Sequence, residues 1–258
     1  MQWRKQGLIF CPQGEEGWMN THSQVPTALL TKDCVRVYFS TRPTHNLSLT
    51  TYVDLDPTNL SKIIHLNKTS IIECGPPGSF DEHGIMPSCA IDNNGTIFMY
   101  YTGWSRGTTI PYWNGIGLAV SEDGGATFKK MFAGPILERT PHEPFTAMSP
   151  FVYRHGAAWH MYYSSGIGWA QVNGKYEPLY IIKYAHSTDG ITWQQPNKTC
   201  IEPLHAEEAN TRCTVVEINK RFHMWYSYRG SQQFRAAGQS SYRIGYAHSD
   251  NLIDWTRA

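Results

Sequence analysis

Apolar and polar positions in this chain alternate over short runs, and the runs return at a fixed spacing. Val37-Tyr38-Phe39, Met99-Tyr100-Tyr101, Met161-Tyr162-Tyr163 and Met224-Trp225-Tyr226 stand 62, 62 and 63 residues apart. An opening dipeptide precedes each: Val25-Pro26, Met86-Pro87, Ser149-Pro150 and Arg212-Cys213. A second phrase follows the last three, beginning at Ile116, Ile182 and Ile244 and closing on Phe128, Trp193 and Trp255. A repeat of this length made only of strand-like pieces predicts stacked blades.

Residues 147–195 show one unit most clearly. Ser149–Tyr153 is a short strand with proline near its start, where a missing N–H costs the ladder least. Ala158–Ser164, Tyr180–Ser187 and Ile191–Gln194 supply three more strands, joined by Arg154-His155-Gly156, a glycine-containing loop and Thr188-Asp189-Gly190. Helix-period patterning is nearly absent; residues 56–62 read as one short helical turn at most. The expected fold is all-β, a single β-propeller domain over residues 1–258. Its repeats cover approximately 22–62, 84–130, 147–195 and 210–258, after an N-terminal strand and opening loop in 1–21. Residues 22–258 span roughly 3.8 periods, so a five-bladed ring with an incomplete fifth blade is expected. Gln6–Cys11 is the strand available to complete it. A ring left open exposes a blade face for self-association.

A net charge of +1 gives no electrostatic argument for nucleic acid, and no apolar run reaches the length of a membrane span. The first six residues lack the apolar core of a secretory signal, so a cytoplasmic location is expected. The six cysteines form no Cys-x-x-Cys and no zinc-ligand spacing with histidine, and read as buried free thiols. Neither metal nor cofactor is expected. Asn46, Asn67, Asn94 and Asn197 head glycosylation sequons, read as chance occurrences.

In a propeller, the segments entering the inner strands converge on one end of a central funnel. Those segments here are 18–24, 80–84, 142–148 and 207–212, which hold His22, Asp81, Glu82, His83, Glu208 and Arg212. Polar side chains at such a convergence describe a binding site. Arg42 and Arg229 end the second strands of the first and fourth repeats, the latter directly after Tyr228. With Arg212 they are placed either to clamp a carboxylate or phosphate, or to form inter-blade ion pairs. Trp104, Tyr112, Trp113 and Trp169 sit in the long loops Gly103–Asn114 and Gly166–Glu177, positions suited to stacking on sugar faces.

The phrases Ser149-Pro150-Phe151-Val152-Tyr153…Trp159-His160-Met161-Tyr162-Tyr163 and Tyr242–Asp250…Trp255 resemble those of the five-bladed-propeller glycoside hydrolases, families 32, 43, 62, 68, 117 and 130. Trp18-Met19-Asn20 also resembles the opening of the family 32 enzymes. The resemblance implies a glycosidase that uses a carboxylate pair without a cofactor. Glu208 is then the acid, with Asp81 or Glu82 as the second carboxylate, and a Glu208→Gln variant keeps its fold and loses at least ~100-fold in rate. His22, Arg42, His83, Trp104, Arg212, Tyr228 and Arg229 are the substrate-binding candidates. The pattern departs at three places: Thr21 stands where the first-blade aspartate belongs, followed by His22; Asp81 and Glu82 lie six and five residues before Pro87 rather than next to it; and Glu208 stands at a stretched spacing ahead of Arg212-Cys213. A sugar-binding or scaffold propeller, and a glycan-biosynthesis enzyme acting on an acidic or phosphorylated sugar, are the alternatives.

Overall fold

The computed structural model describes residues 3–43, 47–232, 234–235 and 241–258. Asn46 of the first sequon therefore lies outside the described residues. The first sheet is β1 (Thr21–Leu30), β2 (Val35–Arg42), β3 (Leu49–Asp56) and β4 (Asn59–Leu66). The second is β5 (Gly84–Asn93), β6 (Thr96–Arg106), β7 (Tyr112–Ser121) and β8 (Lys129–Lys130). The third is β9 (Ala147–His155), β10 (Ala158–Val172), β11 (Lys175–Ser187) and β12 (Gln194–Ile201). The fourth is β13 (Ala209–Ile218), β14 (Arg221–Arg229), β15 (Arg243–Ser249) and β16 (Thr256–Arg257). Each sheet follows chain order, so each repeat is one four-stranded meander, a propeller blade.

The described residues thus form four blades and not the expected four plus a partial fifth. Gln6–Cys11 forms no strand. It is mostly exposed, bends at Gly7 (φ 96°) and runs into Pro12, which has no N–H for a ladder. Four local expectations also change. Of the loop expected over Gly103–Asn114, Gly103–Arg106 belongs to β6 and Tyr112–Asn114 to β7, so Trp104, Tyr112 and Trp113 stand on strands. Residues 57–58 make a tight turn and 59–62 already belong to β4, where one short helical turn was expected over 56–62. The outer strand of the third blade is β12, so Trp193 precedes it. Most of 166–177 is not loop: Trp169 pairs with Pro178 and Val172 with Lys175, extending β10 and β11 into a two-stranded arm. No helix of the described residues is long and apolar enough to cross a membrane.

The packing divides into two compact units, Met1–Ser105 with Leu118–Ala133, and Arg106–Gly117 with Gly134–Ala258. Each is built by the same latch. In the first, the Tyr38 hydroxyl donates to Gly125 O (2.9 Å), and Phe128 meets the Tyr38 ring edge-on at 5.6 Å. In the second, the Tyr162 hydroxyl donates to Leu252 O (2.7 Å), and Trp255 meets Tyr162 edge-on at 5.5 Å. The middle aromatic of the repeated phrase and the closing aromatic of the next blade therefore form one wedge. Burying each such ring contributes about 1.5–3 kcal/mol.

The turns that present these closing aromatics are tied by an aspartate. Asp123 accepts bonds from Ser121 Oγ and from the backbone N–H of Ala126 and Thr127; Asp189 accepts from Ser187 Oγ and from Ile191 and Thr192. Burial pushes the Asp123 carboxyl up, but those bonds outweigh it and hold it at about 2, below its ordinary 3.8. The Thr192 and Ile191 N–H groups likewise lower Asp189. Folded-state values below the unfolded ones mean that this stability is present above pH ~4 and drains away as pH falls toward 2. The melting temperature should drop over that window, and an Asp123→Asn, Asp189→Asn double variant should show a shallower slope. An unchanged slope would remove these turns from the acid response.

Candidate functional site

The first strand of each of the four described sheets breaks its ladder near its start. The register slips between Gln24 and Thr27 in β1, between Pro87 and Cys89 in β5, opposite Tyr162 and Ser164 in β9, and between Thr211 and Cys213 in β13. Val25 (φ 50°), Ser149 (φ 52°) and Arg212 (φ 39°) occupy left-handed backbone at three of these slips. For a β-branched residue such as Val25 that conformation costs on the order of 1–3 kcal/mol. Bulges of this kind re-aim the side chains beside them.

In the first unit, register gathers one group of the candidates. Thr21 pairs with Arg42, Gln24 with Ser40 and Thr41 with Leu49; Ser48 bridges to Gly84, which pairs with Trp104. His22, Arg42, His83 and Trp104 therefore share the strand-start end. Gln24, Ser40 and Arg42 lie on one face, since opposed residues and residues two apart point the same way. Gln24 Nε2, Ser40 Oγ, Arg42 Nε, Ser48 Oγ and Trp104 Nε1 are buried and have no hydrogen-bond partner among the described residues. Gly84 makes this close approach possible, because a Cβ there would strike both the Trp104 indole nitrogen and Ser48 Cβ. The His83 ring lies 5.7 Å from that of Trp104, and its Nδ1 is 3.3 Å from Glu82 Oε1. Glu82 also accepts from Gly78 N at 2.8 Å and keeps about a quarter of its side chain exposed.

Asp81 faces the other way. Its carboxylate takes Lys130 Nζ at 2.6 Å, the Tyr101 hydroxyl at 3.0 Å and Ser79 Oγ at 3.0 Å, with no exposed surface. The second unit repeats the motif. Glu143, also buried, accepts from the Tyr163 hydroxyl at 2.9 Å, with Lys183 Nζ 3.8 Å away and also bonded to Asn197 Oδ1. Burial, and then the adjacent carboxylate, pushes the Tyr101 and Tyr163 phenols far up, so both remain protonated donors. Glu208 is the third instance, buried against Arg257 Nη1 at 2.6 Å and the Leu204 N–H at 3.2 Å. There the tyrosine bond is missing: among the described residues the buried Tyr226 hydroxyl has no hydrogen-bond partner. In the first blade Met19 and Phe39 pack together at the equivalent positions, an apolar pair in place of a polar one.

The other second-unit candidates divide. Arg229 is buried in an aromatic cage. Its Nε donates to the Tyr180 and Tyr242 hydroxyls (3.1 Å each), Nη1 to Gly230 O and Nη2 to Pro178 O, and its carbon lies 3.7 Å from the Phe234 ring centroid. Tyr228 lies under the Arg257 guanidinium at 5.4 Å, and Arg212 N donates to Ser164 Oγ at 3.3 Å. Beside the β10–β11 arm, residues 107–112, 174–177 and Arg235 line a cavity of about 470 Å³. Tyr112 meets Trp169 edge-on at 5.5 Å there, and Arg235 holds Glu177 through two 2.9 Å bonds. Trp113 instead lies under Arg139 at 4.6 Å. Among the described residues no group of three His, Cys, Asp or Glu side chains is placed to hold a metal.

Two curated relatives match nearly the whole sequence. The uncharacterized proteins MT1551 and Rv1502, from the CDC 1551 and H37Rv strains of Mycobacterium tuberculosis, are each 32% identical over 257 residues, covering 99% of this protein and 82% of theirs. The chain belongs to their family. No protein-family model matches the sequence. Among solved structures, a glycoside hydrolase superposes with TM-score 0.66 at 17% identity, over 90% of this protein and 72% of that one. A thermostable family-43 glycoside hydrolase gives 0.64 at 17% over 91% and 71%. The Bombyx mori GH32 β-fructofuranosidase BmSUC1 gives 0.65 at 15% over 90% and 49%. These likenesses show the fold that this chain shares with them, a β-propeller.

Proposed function

We propose that the protein is carbohydrate-active and takes a glycan at the strand-start end, with Arg42, Gln24 and Trp104 as donors and His22 and His83 beside them. One observation carries this reading: the cluster of buried donors and hydroxyls there that the described protein leaves unbonded. Leaving each unmet costs about 1–3 kcal/mol, and a hydroxyl-rich or oxyanion-bearing sugar carries donors and acceptors of the kind they lack. Catalysis is assigned to Glu82 with His83 beside it, the carboxylate of the three candidates that keeps exposed surface. Asp81 and Glu208, saturated by Lys130, Tyr101 and Arg257, act in our reading as blade fasteners.

A second reading, recognition without turnover, draws on the same fasteners, because glycosidic cleavage ordinarily needs two accessible carboxyls. Turnover of aryl glycosides, uronosides and sucrose 6-phosphate separates the two. The last is included because a fold neighbour is a sucrose-6-phosphate hydrolase from Lactobacillus gasseri. Glu82→Gln should cost at least ~100-fold in kcat, and Arg42→Met should raise KM about tenfold or more. Saturable binding with no turnover of any of these would select the second reading; neither binding nor turnover would end both.

A further inference from the structure

A second, larger cavity lies away from the strand starts, where β10 begins and β11 ends. It measures about 720 Å³, within the usual range for a small-molecule site. Its lining includes His160, Tyr184, His186, Pro196, Lys198 and Ile253. Register puts His160 directly opposite His186, so both rings stand on one face. Tyr184 stacks with His186 at 6.1 Å and shares a 2.8 Å hydrogen bond with His160 Nδ1. The fourth blade repeats the row as His223, Tyr246 and His248, with the same imidazole–phenol bond at 2.7 Å.

The charge of the cavity narrows its ligand. Lys198 is its ammonium group, and Asp254 Oδ1 already neutralises it at 2.7 Å. Burial, then the nearby His155 and His186, lowers His160, which favours its uncharged ring. Flat imidazole with Pro196 and Ile253 as walls, and Ser187 and Thr188 at the edge, offers ring faces and hydroxyl partners without a net charge. Those are the features that hold an uncharged sugar by its C–H face.

We propose that this cavity is a second carbohydrate site that takes a neutral pyranose stacked on His186. It is independent of the reading given to the strand-start end. The test is a titration of the full-length protein with maltotriose, cellotriose and mannotriose, followed by the imidazole signals of His160 and His186. At least one sugar should give saturable shifts with Kd on the order of 1 mM. Ala158→Trp, which fills the cavity from an exposed position, should weaken that binding about tenfold or more, while Glu82→Gln should leave it unchanged. No saturable shift with any of the three, shifts that survive Ala158→Trp, or shifts produced by indole and by none of the sugars would overturn the proposal.

Discussion

Glu208→Ala is expected to lower the unfolding free energy by about 3 kcal/mol, the low end of the cost of breaking a buried ion pair. The loss comes from Arg257, which is left beside the rings of Tyr226 and Tyr228 with its carboxylate partner removed. The backbone N–H of Leu204 loses its acceptor as well. Asp81→Ala and Glu143→Ala should follow the same pattern, stranding Lys130 and the Tyr101 and Tyr163 hydroxyls and leaving Lys183 with Asn197. Urea denaturation measures all three. Unchanged midpoints would mean that these carboxylates hold nothing together.

Arg229→Met should cost a similar amount, about 3 kcal/mol, by a different route. It removes the donor to two phenols and two carbonyls and the cation over the Phe234 ring. Arg229→Lys should recover little of it, because one ammonium cannot reproduce a planar fork spread over four acceptors. The readouts are the urea midpoint and the near-ultraviolet dichroism of the tyrosines. A substrate-clamping Arg229 would behave oppositely, losing ligand affinity with stability intact.

The blades were legible because their period is carried by apolar and aromatic residues whose packing is repeated, and repeated packing needs repeated side chains. The Tyr38 and Tyr162 latches are the physical content of that period. The fasteners were legible in the same way and easily passed over. Met19, Asp81, Glu143 and Glu208 stand 62, 62 and 65 residues apart, against 62, 62 and 63 for Phe39, Tyr101, Tyr163 and Tyr226. Where the phrase ends in phenylalanine the matching position holds methionine; where it ends in tyrosine it holds an acid, bonded to the tyrosine at Tyr101 and Tyr163. A carboxylate at the strand starts therefore invites a catalytic reading, and under the proposed function its period assigns it to the blade instead. Arg42 and Arg229 make the converse point. They end equivalent strands, yet Tyr180 and Tyr242 converge on Arg229 from β11 and from residues just before β15, and sequence spacing alone does not bring those rings together. The arm formed by β10 and β11 was hidden for another reason: Gly166, Gly168 and Gly174 read as loop, while the cross-strand pairing that overrides them is a tertiary fact.

A double-mutant cycle between Glu208 and Arg257, with glycan turnover or affinity recorded for each variant, tests the central claim most directly. The account predicts a coupling energy of at least about 1 kcal/mol between Glu208→Gln and Arg257→Met, and sugar chemistry that changes little in whatever fraction stays folded. Additive stabilities, combined with a loss of ~100-fold or more in rate on Glu208→Gln alone, would contradict it and return Glu208 to the reaction.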